Sequence, residues 1–581
     1  MKRPFISKRW HIVPGSPDVE ATLCREVGVS PVLARLLVQR GLTTSEKVDN
    51  FLNPTLDRLH DPFLLPDAEK ACVRLKQALN QKENILVHGD YDGDGVTSAA
   101  LWTRTLQTLG GKVEVFVPHR KRDGYDIRVP IIEEAQANDV KLIVTTDCGI
   151  QRVDEVEHAR ERGIDVIITD HHTPKTNGDL PNAAAVVNPH RHDSVYPFKD
   201  IAGVGVAFKT CEALTRYLGF SADKFRAAYL DLTCIGTLTD VMPILDENRI
   251  IVKYGLEALR NTKKIGLKAL VDECVEPGKP VTPYDIGFKI GPRLNAASRI
   301  DETTHALDVL LTKDAEEGKR LAELLSKLNM ERRELLSQMM DEAMEEVLKS
   351  DMAETSCLVV SRNSWAGGMV GLVAGRLRER FWRPVVVIGI DPTTGEGRGS
   401  ARSIEAFNIF EAVDSCSGFL IEYGGHHQAA GLSISADSVK GFAQRMNEIA
   451  KGCLTEEDMT PSIDVALEID TSILNSALIR EIESLAPFWH DNDVPMFVSR
   501  GLPIANMTRM GQDGKHLKIQ FRAEGVNYNN MIDALWWNQG EFADTLASFS
   551  SLDVCYTMEI NEFRGERKIQ FIIKDIKPPE W

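Results

Sequence analysis

Three aspartates at alternate positions, Asp90, Asp92 and Asp94, stand ahead of Gly95 in the stretch VHGDYDGDGVTSAA. Carboxylates this dense either close a calcium loop or form the edge of a catalytic metal site. The first half resembles an EF-hand loop, with oxygen ligands at positions 1, 3 and 5 and glycine at 6. The second half does not: position 12 counted from Asp90 is Leu101, where a bidentate glutamate should sit, and Asn84–Val87 reads as a short apolar strand, not a helix. A strand, an acidic turn and a helix opening on small residues remain. In an open α/β sheet this puts the carboxylates at the carboxyl end of a strand, where such sheets hold their ligands.

Further groups of the same kind follow. TTDCG carries Asp147, TDHHTP carries Asp170, His171 and His172, and DLTCIGTLTDVMP carries Asp240 at the end of an apolar helix. One strand-end aspartate is ordinarily a helix cap. Four clusters at consecutive element ends are another matter, because parallel connections bring those ends to one edge of the sheet. His88, Asp92, Asp94, Asp147, His171 and Asp240 are therefore expected to converge on one pocket. Divalent cations would remove the repulsion among so many carboxylates, and mixed imidazole and carboxylate ligation leans towards Mn2+ over Mg2+.

The elements that must position these groups are legible in outline. ENILVHGD, VEVFVP, KLIVTTD, DVIITD and AAAVVNP are short Val/Ile-rich runs separated by helical segments, which predicts a parallel sheet covered on both faces. From Ala315 to Ser350, Leu321, Leu325, Leu328, Leu335, Met339, Ala343 and Val347 recur at helical spacing and predict one long connecting helix. A second α/β unit spans SCLVVSR to GGHHQAAGLSI. Beyond Cys453, short alternating strands predict a small antiparallel barrel or sandwich.

With 581 residues the chain is too long for one core. Its 43% hydrophobic and 26% charged residues are those of a soluble globular protein, and the absence of a membrane-length apolar run or secretory signal points to the cytoplasm. Ten cysteines without a CxxC pair exclude a zinc ribbon and a disulfide framework. The net charge of −17 argues against non-specific coating of nucleic acid, so any contact with it must be a local groove.

DYDGDG, TTDCG, TDHH and GTLTDVMP resemble the four motifs of the DHH phosphoesterase superfamily, and GGHHQAAG resembles its DHHA1 companion domain. VYPFKDIAGVGVAFKT, IGPRLNAASRID, GRGSARSIEAFNIFEA and INEFRGERKIQFIIKDI narrow the resemblance to the RecJ family of single-strand-specific 5′-to-3′ exonucleases, from about Leu36 to the C-terminus. The resemblance implies an α/β fold: a parallel-sheet DHH domain (79–314, with an N-terminal segment 1–78 packed on it), a connecting helix (315–352), a smaller α/β DHHA1 domain (353–455) and an OB-like β module (456–581). It implies two Mn2+ or Mg2+ ions held by Asp92, Asp94, Asp147, His171 and Asp240, with Asp147 bridging and His88 a further ligand. His172 would bond the scissile phosphate, and Asp90 and Asp170 would orient the ligands.

Ser400, Arg402, Gly424, Gly425 and His426 match residues that hold the DNA 5′ end, and Arg120, Arg293, Asn295 and Arg299 are further DNA-binding candidates. The implied substrate is single-stranded DNA with a free 5′ end, in recombination and repair. The implied partners are a single-strand-binding protein and a RecQ-type helicase. A phosphodiesterase of short oligonucleotides or cyclic dinucleotides and a non-catalytic scaffold are the alternatives. Gly93, Ser298, Ala366 and the FWHDND turn depart from the family pattern, and the glycine at 93 reads as a tolerated replacement for alanine.

Overall fold

The computed structural model describes residues 8–119, 122–175, 178–300, 303–349, 352, 354–523, 526, 530–563 and 566–579. The chain divides into two compact units, one of residues 17–330 with 482–494, the other of the described residues of 1–16, 331–481 and 495–581.

In the first unit, strands Asn84–Gly89, Lys112–Phe116, Val140–Thr146, Asp165–Thr169 and Ala185–Val187 form an all-parallel sheet. The Asn84 strand lies between the Lys112 and Val140 strands, with the Asp165 and Ala185 strands beyond the latter. Strand order therefore reverses between the Asn84 and Val140 strands, and that switch point opens the ligand crevice of a doubly wound sheet. The near-continuous apolar runs arise because both faces are covered: Val87, Leu142, Val144 and Ile167 join one core cluster, and Leu86, Ile143, Val166 and Ile168 the other.

Helices Gly93–Thr108, Gly203–Tyr217 and Ala222–Thr239 pack together beside the sheet. Next come a short turn at Pro283–Asp285, a π-helical turn at Ile286–Ile290 and the helix Gly291–Ile300. The 34-residue helix Ala315–Leu348 buries Leu321, Leu325 and Leu328 in the first unit's core and Leu336, Met339, Ala343 and Val347 in a core of the second.

The two larger sheets of the second unit differ in build. Strands Leu358–Asn363, Val385–Ile390, Glu396–Arg402, Ala429–Ser435 and Leu420–His426 form a mixed sheet in that spatial order, parallel only at its first pair. The six-stranded β module begins with the short strand Leu467–Glu468 and runs from Phe497–Met510 to Glu566–Lys577. Its strand Ser551–Phe563 pairs back onto Phe497–Met510 and closes the sheet into a barrel.

Two boundaries differ from those read in the sequence. Arg9–Ile12 belongs to the second unit: it pairs in parallel with Ser462–Val465, and Trp10 Nε1 donates to Asp575 Oδ2 at 2.7 Å. Nor is 456–581 one module, since Ile482–Val494 belongs to the first unit. There the buried Arg249 donates to the Leu485 and Ala486 carbonyls, and Asn492 Nδ2 bonds Leu485 O and Pro487 O. The FWHDND turn is thus part of a clasp within the first unit.

All ten cysteines are free. Among the described residues, no helix is long and apolar enough to cross a membrane.

Candidate metal centre

The strand Asn84–Gly89 ends in a turn from which Asp90 and Asp92 emerge. Asp92 caps the Gly93 helix, its Oδ1 accepting from the Asp94 and Gly95 amides at 3.0 and 3.1 Å. Asp94 reaches across to another helix. The Gly203–Tyr217 helix has no capping side chain of its own at Ala202; instead the Gly203 and Val204 amides donate to Asp94 Oδ2 and Oδ1 at 2.7 and 2.8 Å. Asn295 Oδ1 accepts from the Gly93 amide at 2.7 Å, which ties the Gly291 helix to the same turn.

Asp147 follows the neighbouring strand Val140–Thr146 and adopts a left-handed backbone, φ 61°, held by its amide donating to Thr169 O at 2.9 Å. His171 Nε2 lies 3.3 Å from Asp147 Oδ1 and 3.6 Å from Asp240 Oδ2. Asp240 closes the Ala222–Thr239 helix at its C-terminus.

Among the described residues, three sets of donor atoms arise in this crevice: Asp90, Asp92 and Asp147; Asp94, His171 and Asp240; Asp147, His171 and His172. Within each set the ligand atoms lie within 4.8 Å of one another. Asp147 and His171 each belong to two sets. Asp90, read as an orienting residue, thus sits among the candidate ligands themselves. His88 joins no set. Its side chain still belongs to the strand, fully buried with Nδ1 3.7 Å from Cys148 Sγ and the ring 5.4 Å from Phe116.

The electrostatics show a cluster built for cations. Burial, reinforced by Asp92, pushes Asp94 up to about 7, and burial with Asp94 pushes Asp240 up to about 9. Asp90 and Asp147 rise well above the carboxylate range, first by burial and then through neighbouring aspartates. Buried Asp90 Oδ1 and Asp147 Oδ1 have no hydrogen-bond donor. Orphaned carboxylate oxygens at the meeting point of these sets fit divalent cations bound by oxygen and imidazole.

The histidines divide. Burial lowers His171 to about 4, with the charge on His172 adding to the effect, so it is neutral and can ligate. His172 is half-exposed and rises to about 9: burial opposes the shift, but Asp170, 2.8 Å from its Nδ1, outweighs it. Asp170 holds more than His172, because its Oδ2 also accepts from the Ile150 amide just beyond Asp147. Tyr125, not singled out in the sequence, places its ring 6.3 Å from the His172 ring.

A pH dependence follows. Without cations, a carboxyl raised in the folded state contributes stability that is complete below its unfolded value near 4 and is lost as pH rises through the folded value. Asp94 and Asp240 therefore make the chelated protein less stable between about pH 4 and about 9. Cations displace these protons, so the rise in Tm on adding Mn2+ is expected to be larger at pH 8 than at pH 6. A gain independent of pH, read by differential scanning fluorimetry, would contradict this.

The sequence-predicted DNA contacts fall in two places. In the first unit, Arg293 is engaged with Ser326 Oγ (2.9 Å) and Lys289 O (3.0 Å), Asn295 braces the acidic turn, and Arg299 lies in the last turn of its helix. Arg120 lies outside the described residues. In the second unit, strand register puts Ser400 opposite Gly431 and Gly431 opposite Gly424; likewise Arg402, Ala429 and His426 form one row. Ser400, Arg402, Gly424 and His426 therefore share one face of the sheet, with side-chain-free Gly431 between them. Arg402 Nη1 donates to Ser400 Oγ at 2.9 Å. A Cβ on Gly371, at the start of the Val370–Phe381 helix, would come within 3.2 Å of Arg402 Nη2, so glycine lets that helix end approach the pair. Gly425 lies between Gly424 and His426 on the strand, so its position points to the opposite face.

Two residues carry weight that the sequence did not disclose. A Cβ on Gly203 would sit 2.5 Å from Asp147 Oδ1, and one on Gly93 would sit 2.8 Å from Thr239 Oγ1, next to Asp240. Glycine is thus accommodated at 93, where an alanine Cβ would crowd Thr239.

Family models match in chain order: the DHH family N-terminal domain over residues 84–237, the DHHA1 domain over 354–452 and the RecJ OB domain over 463–575. The single-stranded-DNA-specific exonuclease RecJ of Bacillus subtilis is 38% identical over 99% of this chain and 71% of its own length. The Escherichia coli exonuclease of the same name is 32% identical over 97% of this chain and 98% of its own. The chain belongs to the RecJ family. The crystal structure of RecJ in complex with Mn2+ from Thermus thermophilus superimposes with a TM-score of 0.83 at 30% identity, covering 99% of this chain and 80% of that one. The Mg2+ complex from the same organism gives 0.78 at 28% identity. RecJ proteins are thus solved with the two cations that suit this chain's donor sets.

Proposed function

We propose that this chain removes nucleotides from the 5′ end of single-stranded DNA by metal-dependent hydrolysis of phosphodiester bonds, in recombination and DNA repair in the cytoplasm. The observation that carries the reading is Asp147 at the switch point of the sheet: it belongs to the donor set of Asp90 and Asp92, and its Oδ1 lies 3.3 Å from His171 Nε2 of the set with Asp94 and Asp240. In this reading Asp92, Asp94, Asp147, His171 and Asp240 would hold two divalent cations, with Asp147 offered to both and Asp90 completing the set around Asp92. Bound there, such cations lower the pKa of an attacking water and neutralise charge on the phosphate.

The chain's own groups do the rest. Asp94 carries the Gly203 helix end and so fixes the wall behind Asp147. His172, kept protonated by Asp170, donates to a non-bridging phosphate oxygen as charge develops there. Asn295 keeps the acidic turn from moving as substrate arrives. Ser400, Arg402, Gly424 and His426 bind the 5′ phosphate, with Arg402 supplying donors and the glycines allowing close approach. Arg120, Arg293 and Arg299 neutralise the following phosphates. A single-strand-binding protein and a RecQ-type helicase would present the strand.

The end-binding role is tested by Arg402→Ala on oligonucleotides with and without a 5′ phosphate, at fixed ionic strength. Affinity is expected to fall about tenfold or more for the phosphorylated strand, the loss of a charge-assisted pair, and much less for the 5′-hydroxyl strand. Equal losses would make Arg402 a general backbone contact and move end recognition elsewhere.

A further inference from the structure

Two aromatic side chains of the first unit stand in solvent on the segment that leads into the Gly291 helix. Tyr284 and Phe288 are each 61% exposed, although rings of this size are ordinarily mostly covered. They stack on each other with centroids 4.8 Å apart and planes at 27°. The pair is supported from the side: Trp489, carried by the clasp Ile482–Val494, meets Phe288 edge-on at 5.9 Å. Gly287 makes room for it, since a Cβ there would overlap the Trp489 ring. On the turn around Phe288 the nearest charges are neutralised, Lys289 Nζ lying 2.7 Å from Asp285 Oδ1.

The segment that bears the two rings continues without a break into the Gly291 helix. A Cβ on Gly291 would come 2.5 Å from Thr239, the residue before Asp240, and one turn further Asn295 holds the acidic turn. Arg293 lies between. An exposed ring pair beside a cationic helix that leads to a phosphodiester-cleaving centre has the composition of a single-strand surface, in which rings stack bases and cations follow phosphates.

We infer that Tyr284 and Phe288 form a stacking platform for bases of the bound strand on the catalytic unit. This deepens the nuclease reading and rests on it. Stacking needs only the flat face that every base presents, so the platform adds affinity without sequence preference and excludes a duplex, whose bases are already stacked.

The test uses the full chain and the double variant Tyr284→Leu/Phe288→Leu, which keeps apolar bulk and helix propensity while removing the rings. Binding of fluorescent single-stranded oligonucleotides is read by anisotropy in EDTA, with single abasic residues walked along the strand. Wild type is expected to lose about tenfold in affinity when the abasic residue falls on the platform, by the worth of one stacked base. The variant should bind the intact strand about tenfold or more weakly, with no further loss at that position. Equal affinity of the two proteins, or an abasic penalty that persists in the variant, overturns the platform. So does a change in the sedimentation of the free protein with DNA affinity unaltered, which would mark the rings as a contact with a second copy. The nuclease reading is judged separately, by hydrolysis with Mn2+, because the binding result does not depend on cleavage.

Discussion

Asp147→Asn is expected to lower hydrolysis of single-stranded DNA by at least about a thousandfold at saturating Mn2+, with the fold intact. Asp147 belongs to the donor set of Asp90 and Asp92 and lies 3.3 Å from His171 of the set with Asp94 and Asp240, so losing its charge would leave both cation positions short of a ligand. Asparagine is the informative replacement. Its backbone tolerates the left-handed conformation at φ 61° and its side chain keeps the volume packed against Gly203, whereas alanine would add strain and a void. Burial and the surrounding aspartates raise this carboxyl well above the usual carboxylate range when no cation is present, towards the neutral form that asparagine mimics. The variant's Tm in EDTA should therefore match wild type, while most of the Mn2+-induced gain disappears. Retained activity, or a large loss of Tm in EDTA, would show that Asp147 is not a shared ligand.

Gly203→Ala is expected to reduce kcat about a hundredfold through a single methyl group, the cost of a roughly 1 Å displacement in a preorganised site. Alanine suits the first turn of a helix, so the backbone does not object. The added Cβ would lie 2.5 Å from Asp147 Oδ1 and 2.6 Å from its Cβ, and the Gly203 amide is also a donor to Asp94. One methyl thus pushes on two proposed ligands. Gly205→Ala, two residues on, is the control, because its new Cβ would meet Ile201 only at 3.2 Å. Comparable kcat values for the two variants would contradict the proposed geometry.

The parallel sheet of the first unit was legible because the features that specify it are local. Each strand of the first unit is a short apolar run ending in a polar turn, and parallel topology then forces Asp92, Asp147 and His171 to one edge. Helical spacing likewise exposed the Ala315–Leu348 helix. The unread features depend on pairings between distant segments. Nothing in DIAGVGVAF shows that the helix beginning at Gly203 borrows its cap from Asp94, or that Gly203 leaves space for Asp147. Asn295, read as a DNA contact, has its oxygen on the Gly93 amide, a bond between residues 202 positions apart. The pairing of Arg9–Ile12 with Ser462–Val465 and the return of Ile482–Val494 to the first unit are equally non-local. His88 shows a different limit. Its spacing from Asp92 suggested a ligand, but two residues make the difference between a turn and a strand, and the ring stays among Cys148 and Phe116.

The most direct test of the proposed activity follows both ends of one strand. Single-stranded DNA with a 5′ phosphate, carrying distinct labels on its first and last nucleotides, is incubated with the full chain and Mn2+ beside the same strand in a duplex. The proposed function requires the 5′ label to appear first as a mononucleotide, the 3′ label only when the strand is consumed, and the blunt duplex to persist. Release of the 3′ label first, or internal cleavage into labelled fragments before any mononucleotide appears, would contradict it.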